Sequence, residues 1–538
     1  MMIKMKNFSL KIPFYALIIT ASLWSCGEAV TKKQYKSPDD AYGELFREVQ
    51  LKAVFADSKT FPDCIPKIKS EDVLKKYGEQ KNQANFDLKK FVLENFTVPV
   101  APNENTISKS ENLTERHLTD YWSVLTRTPK DIGGTLVPLL KPYIAPDARF
   151  AEINYWDSYF VMLGLQVSGK DSLMSNTVLN LAQLIQDFGH IPSGNRSYYF
   201  SRSQPPFFAL MVKLLAQMKG HEQKLTQYLP QIQREYQYWM AVENGKEDAQ
   251  KQSEVRKKGD KAYRKAVFLG KADILNRYFD DRDSPRPEGY KEDVALASKS
   301  GRKADELYRD LRAGAESGWH FSSRWLRDSQ NLSTIHTTEI LPVDLNALLY
   351  DLELTLAQIY KLKSEPEYAQ SLMTLASKRK AIFDKYFWNE AAGFYFDYDF
   401  VAAKQTNVYS LAAVYPLFFK MATPEQAQKV AQVLEKQFLK SGGLATTLNQ
   451  TNQPWDGTNG FAPLQYLAIE GLRNYGFDDL ANKIKQNWVA NNQSVFKKTG
   501  KTYEKYEVDG GKQSNDASQI PARNAWTNGV LLKLISEK

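Results

Sequence analysis

Charged and aromatic side chains are concentrated in a few short segments of this 538-residue chain. Aromatic residues make up 12% of the sequence, and many lie beside Asp, Glu, Arg or Gln in residues 149–159, 196–204, 286–293 and 319–328. A carbohydrate site requires this mixture, because flat rings cover the C–H faces of a sugar while charged and amide groups bond to its hydroxyls. Hydrolysis of a glycosidic bond further requires two carboxyl groups that flank the bond. A single Trp-Asp pair is typical of a structural turn, but the repeated clusters favour a polar saccharide site.

Other chemistries find little support in the sequence. No two of the five histidines have the H-x-x-x-H spacing of a zinc site. The two cysteines, Cys26 and Cys64, are too few for a disulfide scaffold or a multi-cysteine metal site. A P-loop, a G-x-S-x-G turn and a plausible dinucleotide fingerprint are also absent from the sequence. We therefore predict neither a metal nor a cofactor.

The clusters resemble the signatures of the trehalase family of inverting glycoside hydrolases. Residues 149–159, Arg-Phe-Ala-Glu-Ile-Asn-Tyr-Trp-Asp-Ser-Tyr, are similar to the first signature. Residues 454–463, Pro-Trp-Asp-Gly-Thr-Asn-Gly-Phe-Ala-Pro, are similar to the second. The resemblance extends in collinear order over about residues 45–535, through supporting blocks at 190–206, 286–288, 317–325, 342–349, 504–506 and 526–529.

This resemblance implies an all-α fold, an (α/α)6 barrel or helical toroid with long active-site loops. It also implies hydrolysis of α,α-trehalose, or of a related α-glucoside, to glucose with inversion of the anomeric centre. Glu504 occupies the position of the general base, although a surface glutamate in a charged stretch is the simpler interpretation of that residue alone. The implied substrate-binding residues are Arg149, Phe150, Trp156, Asp157, Arg202, Gln204, Arg286, Glu288, Gln453, Trp455 and Asp456.

The chain departs from the family at the general acid, where His320 stands in place of Asp. Imidazole has an ordinary pKa of about 6.5 and can carry a proton near neutral pH, but its ring places that proton differently from a carboxyl group. His320 could therefore be the acid, Asp328 or Asp157 could replace it, or the protein could bind a saccharide without catalysis. Further departures occur at Asn154, Ser193, Phe461 and Ala517.

The elements that must position these residues are mainly helices. Apolar residues from Leu345 to Ile359 recur with the spacing of one helix face. Thr423, Pro424 and Gln426 together predict a capping box at the start of another helix. Long loops separate the helices at 145–157, 189–206, 281–293, 315–328 and 452–463, and we expect them to meet at one mouth of a single helical toroid.

The N-terminus predicts export. Residues 1–25 combine early lysines with an apolar run too short to span a bilayer, as in a signal peptide, and the run ends at Cys26 in a sequence that resembles a lipoprotein cleavage site. We expect lipidation of Cys26, a tether over residues 26–44, a barrel over 45–538, and a periplasmic or cell-surface protein attached to the membrane through the lipid. The chain is expected to be a monomer.

The net charge gives no clue to a partner. The formal charge of +9 falls to +6 once the three lysines of residues 1–25 are removed. Much of the remaining basicity lies in a charged insertion near 245–270, which the sequence predicts to be solvated and partly disordered. We therefore expect a small saccharide as the ligand and no binding of nucleic acid.

Overall fold

The computed structural model describes residues 35–100, 113–146, 150–218, 223–270, 273–510 and 525–537. The predicted signal segment, Cys26, Arg149 and Ala517 lie outside these ranges. No helix within them is both long and apolar enough to cross a membrane.

The N-terminal part of the chain folds around a small core of its own. Its helices are α1 (Pro38–Leu51), α2 (Ser70–Gln80) and α3 (Leu88–Asn95). Leu45, Phe46 and Phe91 are buried in this core, which is separate from the main one. Residues 38–44 therefore differ from the expected tether, because they form the first turns of α1 and bury Tyr42.

Sixteen further helices follow in the described residues. They are α4 (Glu115–Leu125), α5 (Asp157–Val167), α6 (Asp171–Phe188), α7 (Phe208–Gln217), α8 (Lys224–Gln227), α9 (Leu229–Trp239), α10 (Lys246–Lys258), α11 (Tyr290–Ser300), α12 (Ala304–Glu316), α13 (Val343–Leu362), α14 (Pro366–Phe387), α15 (Tyr415–Phe418), α16 (Pro424–Val433), α17 (Ala462–Arg473), α18 (Asp478–Thr499) and α19 (Ala525–Ser536). The predicted helix over Leu345–Ile359 lies within α13, and α16 begins with the predicted capping box at Thr423.

Burial separates these helices into two layers. The inner helices α5, α7, α13, α17 and α19 are buried on most sides, whereas the outer helices α6, α14 and α18 bury one face. Contacts run from α13 through α15, α17, α19 and α5 to α7. An ion pair of 2.8 Å between Lys213 on α7 and Asp351 on α13 closes this inner ring. The predicted all-α class is therefore confirmed.

Two glycines allow a close contact between α5 and α19. A Cβ atom on Gly529 of α19 would lie 2.1 Å from the carbonyl oxygen of Phe160 on α5. A Cβ atom on Gly164 would lie 2.5 Å from the Cα of Gly529. Gly529, which ends the Trp-Thr-Asn-Gly block, therefore sets how closely α19 packs on α5.

Short antiparallel strands connect the helices and the loops. They are β1 (Ile65–Pro66), β2 (Phe96–Thr97), β3 (Thr126–Arg127), β4 (Tyr143–Ile144), β5 (Ala262–Tyr263), β6 (Ala266–Phe268), β7 (Ile274–Asn276), β8 (Ile340–Leu341), β9 (Trp388–Asn389), β10 (Phe394–Tyr395), β11 (Tyr398–Asp399), β12 (Lys404–Gln405), β13 (Leu439–Lys440), β14 (Gly443–Leu444), β15 (Asn459–Phe461) and β16 (Lys505–Glu507). The sheets are β1-β2, β3-β4, β5-β6-β7, β8-β11-β12, β9-β10, β13-β14 and β15-β16.

The charged insertion is ordered, which differs from the sequence-based expectation. It consists of α10 followed by the sheet β5-β6-β7. Asp248 and Gln252 of α10 are buried, and so is Lys265 in the turn between β5 and β6. The hydrophobic pattern of α10 is weak because polar contacts hold its inner face: Gln252 donates to the carbonyl oxygens of Met240 and Ala241 at 2.9 and 3.0 Å.

Candidate active site

A cavity of about 800 Å³ lies where the long loops meet. Its size is within the usual range for small-molecule sites. The structure brings most of the predicted site residues to its wall: Phe150, Trp156, Asp157, Arg202, Gln204, Arg286, Glu288, His320, Trp455 and Glu504. Asn154, Ser193 and Phe461, three of the positions that depart from the family, also line it.

One wall of the cavity is aromatic. The ring of Trp455 stacks on Phe461 at a centroid distance of 3.7 Å and on Trp319 at 5.3 Å. Trp156 lies 6.0 Å from Trp455, and Gly318, with φ of +76°, lets the backbone approach that indole, because a Cβ there would lie 2.9 Å from it. These rings form a packed apolar surface that suits the C–H face of a sugar.

A second wall carries two arginine–carboxylate pairs. Arg286 donates to Asp293 through its backbone N–H, Nε and Nη2, at 2.9, 3.0 and 2.6 Å. Arg202 bonds to Glu288 through Nη2, while its Nε and Nη1 and the Oε2 of Glu288 are buried without a hydrogen-bond partner. Buried polar atoms are normally satisfied, so three such atoms in one ion pair set this pair apart from that of Arg286.

The charges of this wall favour ionised carboxylates. Burial raises the pKa of the Glu288 carboxyl, but the guanidinium groups of Arg202 and Arg286 outweigh it and hold that pKa at about 2. Asp280 lies 3.7 Å from Nη1 of Arg202. Although burial raises the Asp280 pKa, Arg312 and Arg202 together bring it below its ordinary value.

Glu504 and His320 are both held by the loop of residues 454–461. Glu504 directly precedes β16, in which Lys505 pairs with Phe461 and Tyr506 with Gly460. The indole N–H of Trp526 donates to the carbonyl oxygen of Glu504 at 3.2 Å. On the other side, the backbone N–H of Trp455 donates to the carbonyl oxygen of Phe321, the residue after His320, at 3.0 Å.

The two alternative acids have unfavourable positions. Asp328 is exposed, does not line the cavity, and accepts hydrogen bonds from the backbone N–H groups of Asn331 and Gln330 at 2.8 and 3.0 Å. Those bonds lower the pKa of its carboxyl and favour the ionised form. Asp157 does line the cavity, but it is the first residue of α5, where the helix dipole favours a carboxylate.

Two residues implied as substrate contacts lie outside the cavity lining. The Asp456 carboxylate is buried and accepts hydrogen bonds from Ser322 and Ser323, including the N–H of Ser323 at 2.7 Å, and from Thr447 and Thr451. Asp456 therefore links the loop of residues 454–461 to the loop of residues 317–325. Gln453 is half-buried in the same loop, where its N–H donates to Thr451 Oγ1 at 2.9 Å.

The N-terminal part of the chain supplies a wall that the sequence analysis did not identify. Asp57, Ser58 and Lys59 line the cavity. The Lys59 ammonium bonds to Glu152 at 2.9 Å and lies 4.6 Å from the ring centre of Phe150. The family resemblance, which begins at about residue 45, was the signal in the sequence that could have indicated this wall.

Across the part of the chain that the structure describes, no group of three His, Cys, Asp or Glu side chains could hold a metal ion.

Comparisons with known proteins agree with this geometry. The family described as trehalase matches residues 53–538. The chain is 42% identical to the periplasmic trehalase of Escherichia coli O6:H1, over 99% of this chain and 94% of that protein. Its identity to the periplasmic trehalase of Citrobacter koseri is also 42%, over 98% of this chain and 92% of that protein. Among solved structures, the neutral trehalase of Saccharomyces cerevisiae superposes with a TM-score of 0.61 at 24% identity, covering 80% of this chain and 81% of that one.

These matches agree with the ring of inner and outer helices, and the predicted (α/α)6 fold is confirmed. The residues that match the family include the aromatic wall, the arginine wall, His320 and Glu504. The chain belongs to the trehalase family.

Proposed function

We propose that this protein hydrolyses α,α-trehalose to glucose with inversion, with Glu504 as the general base and His320 as the general acid. The observation that carries the proposal is the cavity itself. Glu504 and His320 both line it, together with Arg202, Glu288 and the tryptophans. The family membership and the two relatives named periplasmic trehalases support trehalose as the substrate.

The proposed reaction is a single displacement. Glu504 takes a proton from water, whose oxygen attacks the anomeric carbon on the face opposite the leaving glucose. The bond from that carbon to the bridging oxygen breaks, and the imidazolium of His320 gives its proton to that oxygen. One water is consumed, two glucose molecules leave, and the two side chains exchange protons with solvent before the next turnover.

The experiment is to incubate the purified protein with trehalose and measure glucose release, with the product anomer followed by NMR. We expect turnover by the wild type and a loss of about 10²–10⁴-fold in kcat for Glu504→Gln, the range for a general base. Glu507→Gln is the matched control, because Glu507 belongs to the same charged stretch and does not line the cavity. An equal rate in Glu504→Gln and the wild type would refute the assignment of the base.

The imidazole at the acid position favours one alternative, a trehalase-fold protein that binds a saccharide without hydrolysing it. His320→Asp decides between the two. A wild type without turnover that gains hydrolysis in His320→Asp supports the binding protein. A wild type with turnover that falls sharply in His320→Gln supports the imidazole as the acid.

We also propose that the mature protein begins at a lipidated Cys26 and is held at a membrane surface, in the periplasm or on the cell surface, as a monomer. The spacing of the N-terminal residues and the periplasmic naming of the relatives support this location. Mass spectrometry of the N-terminal peptide is the test, with Cys26→Ser expected to release the protein from the membrane fraction. An unmodified N-terminus downstream of Cys26 would contradict the anchor.

A further inference from the structure

A buried ion pair lies behind the cavity, outside its lining. The ammonium of Lys265 contacts the two carboxylate oxygens of Glu316 at 2.9 and 3.1 Å. The side chains are 2% and 0% exposed, respectively. Lys265 comes from the charged insertion, in the turn between β5 and β6, whereas Glu316 is the last residue of α12.

The Glu316 carboxylate reaches the loop that carries two cavity residues. Its Oε1 accepts a hydrogen bond from the backbone N–H of Ser203 at 2.9 Å. Ser203 stands between Arg202 and Gln204, and both of these neighbours line the cavity. The hydroxyl of Ser203 donates to the carbonyl oxygen of Ile191 at 2.6 Å, so Glu316 and Ile191 both hold this turn.

The same carboxylate lies at the start of the loop that carries His320. Glu316 ends α12 four residues before His320, and the hydroxyl of Ser317 accepts from the N–H of Trp319 at 3.0 Å. Oε2 of Glu316 also accepts from the backbone N–H of Phe279 at 2.8 Å. One side chain therefore links the turn that carries Arg202 to the helix end from which the His320 loop begins.

Lys265 supplies the positive charge that this arrangement needs. Its ammonium lies 4.6 Å from the ring centre of Tyr238, whose hydroxyl donates to Glu316 at 2.9 Å. His190 stacks on the same tyrosine ring at 4.3 Å, and burial together with Lys265 lowers the His190 pKa to about 3, so this imidazole is neutral. Without Lys265, the carboxylate would be buried without a counter-charge, which proteins avoid by protonating or moving the group. Either change disturbs the bond to Ser203.

We propose that Lys265 is a positioning residue for trehalose hydrolysis. Acting through Glu316, it holds Arg202 and Gln204 at the cavity and sets the start of the His320 loop. This inference rests on the proposed function, because sugar binding and turnover are its readouts. It assigns to the charged insertion a role in the active site.

The test compares Lys265→Met with Arg379→Met. Arg379 forms an equally buried pair with Glu353 at 2.9 Å, Glu353 also accepts from a tyrosine hydroxyl, and neither residue lines the cavity. We expect both variants to lower Tm. At a temperature below the Tm of both variants, kcat/KM for trehalose should fall 10- to 100-fold in Lys265→Met, mostly through KM. In Arg379→Met it should fall less than 3-fold.

Lys265→Arg keeps the charge and serves if Lys265→Met does not fold. We expect its Tm to stay close to that of the wild type while KM rises 3- to 10-fold. The larger, planar guanidinium can pair with Glu316 but cannot occupy the compact site that the ammonium shares with the carbonyl oxygen of Phe279 and the ring of Tyr238. A KM equal to that of the wild type in Lys265→Arg, or a loss in Lys265→Met no greater than in the control, would overturn the inference.

A binding measurement separates this inference from the proposed function. Calorimetry with trehalose, carried out in the Glu504→Gln background, reports affinity without turnover. Weaker binding after adding Lys265→Met supports the inference even if the wild type proves inactive. Unchanged affinity contradicts it even if the wild type is a good enzyme. A wild type that neither binds nor hydrolyses trehalose would overturn both proposals.

Discussion

Two arginine clusters, one at the cavity and one beneath it, use similar groups for different purposes. Beneath the cavity, Arg324 bonds to both oxygens of Asp397 at 2.9 Å and to both oxygens of Asp344 at 3.2 and 3.3 Å. At the cavity, Arg202 bonds to Glu288 through one nitrogen and leaves Nε and Nη1 without a hydrogen-bond partner.

Both clusters pair arginine with acidic residues, and they differ in how many of their polar atoms already have a hydrogen-bond partner. A cluster in which all of them do is called saturated below. The Arg324 guanidinium also lies 4.4 Å from the ring centre of Trp319, so every part of it is occupied by the protein. Its cluster therefore fixes the floor under the aromatic wall. The Arg202 pair has two donor atoms and one acceptor atom without a hydrogen-bond partner. The Arg324 cluster therefore holds the fold, whereas Arg202 and Glu288 form the pair that lines the cavity.

The largest effect that this comparison predicts is on stability. Arg324→Met leaves Asp344 and Asp397 buried without their cation, and breaking such a pair costs about 3–5 kcal/mol. We expect the free energy of unfolding, measured by urea denaturation, to fall by about that amount. A loss below about 1 kcal/mol, the scale of a surface ion pair, would mean that the cluster does not hold the floor.

Arg202→Met is expected to act mainly on catalysis. A hydrogen bond to a charged group contributes about 1.5–3 kcal/mol, and 1.36 kcal/mol corresponds to a tenfold change in rate. We therefore expect kcat/KM for trehalose to fall about 10- to 150-fold. Stability should fall less than in Arg324→Met, because Glu288 keeps Arg286 nearby. Steady-state kinetics and urea denaturation on both variants test whether Arg202→Met acts mainly on catalysis and Arg324→Met mainly on stability. Equal losses of stability with unchanged kinetics would contradict this prediction.

The sequence predicted local structure well, but it did not predict which polar side chains already have partners within the fold. The periodicity of residues 345–359 and the capping box at Thr423 depend on neighbours along the chain, and both are confirmed. The convergence of the loops was expected from their length and from the helices that they join. Asp456 resembled a substrate contact by type and position, yet four hydroxyl-bearing residues occupy its carboxylate. The sequence does not show which partners a carboxylate has already found.

Lys265 illustrates the opposite case. In the sequence it is one lysine in a basic stretch, for which a solvated surface is the ordinary interpretation. Its partner, Glu316, is 51 residues away along the chain, and the contact depends on how β5 and β6 pack against the end of α12. Long-range ion pairs of this kind have no local signature, so the sequence predicted an insertion that is solvated and partly disordered.

The smallest predicted effect distinguishes the two clusters by the sign of their response to acid. The Glu288 carboxyl has a folded-state pKa of about 2, below its unfolded value, so its stabilisation is complete above about pH 4.5 and is lost as the pH falls towards 2. Between about pH 5 and 3.5, this group should contribute a loss of about 1 kcal/mol in unfolding free energy.

Asp344 should respond in the opposite sense, because burial raises its pKa even beside Arg324. As the pH rises above about 3.8, the unfolded chain loses this proton before the folded protein does, so stability declines towards the folded-state pKa and is recovered on acidification. Urea denaturation of Glu288→Gln and Asp344→Asn at several acidic pH values isolates each term. Relative to the wild type, the Glu288 variant should flatten the loss on acidification and the Asp344 variant should deepen it. Slopes of the same sign would show that saturation does not separate the two clusters, because both carboxylates would then be stabilised as ions to a similar degree.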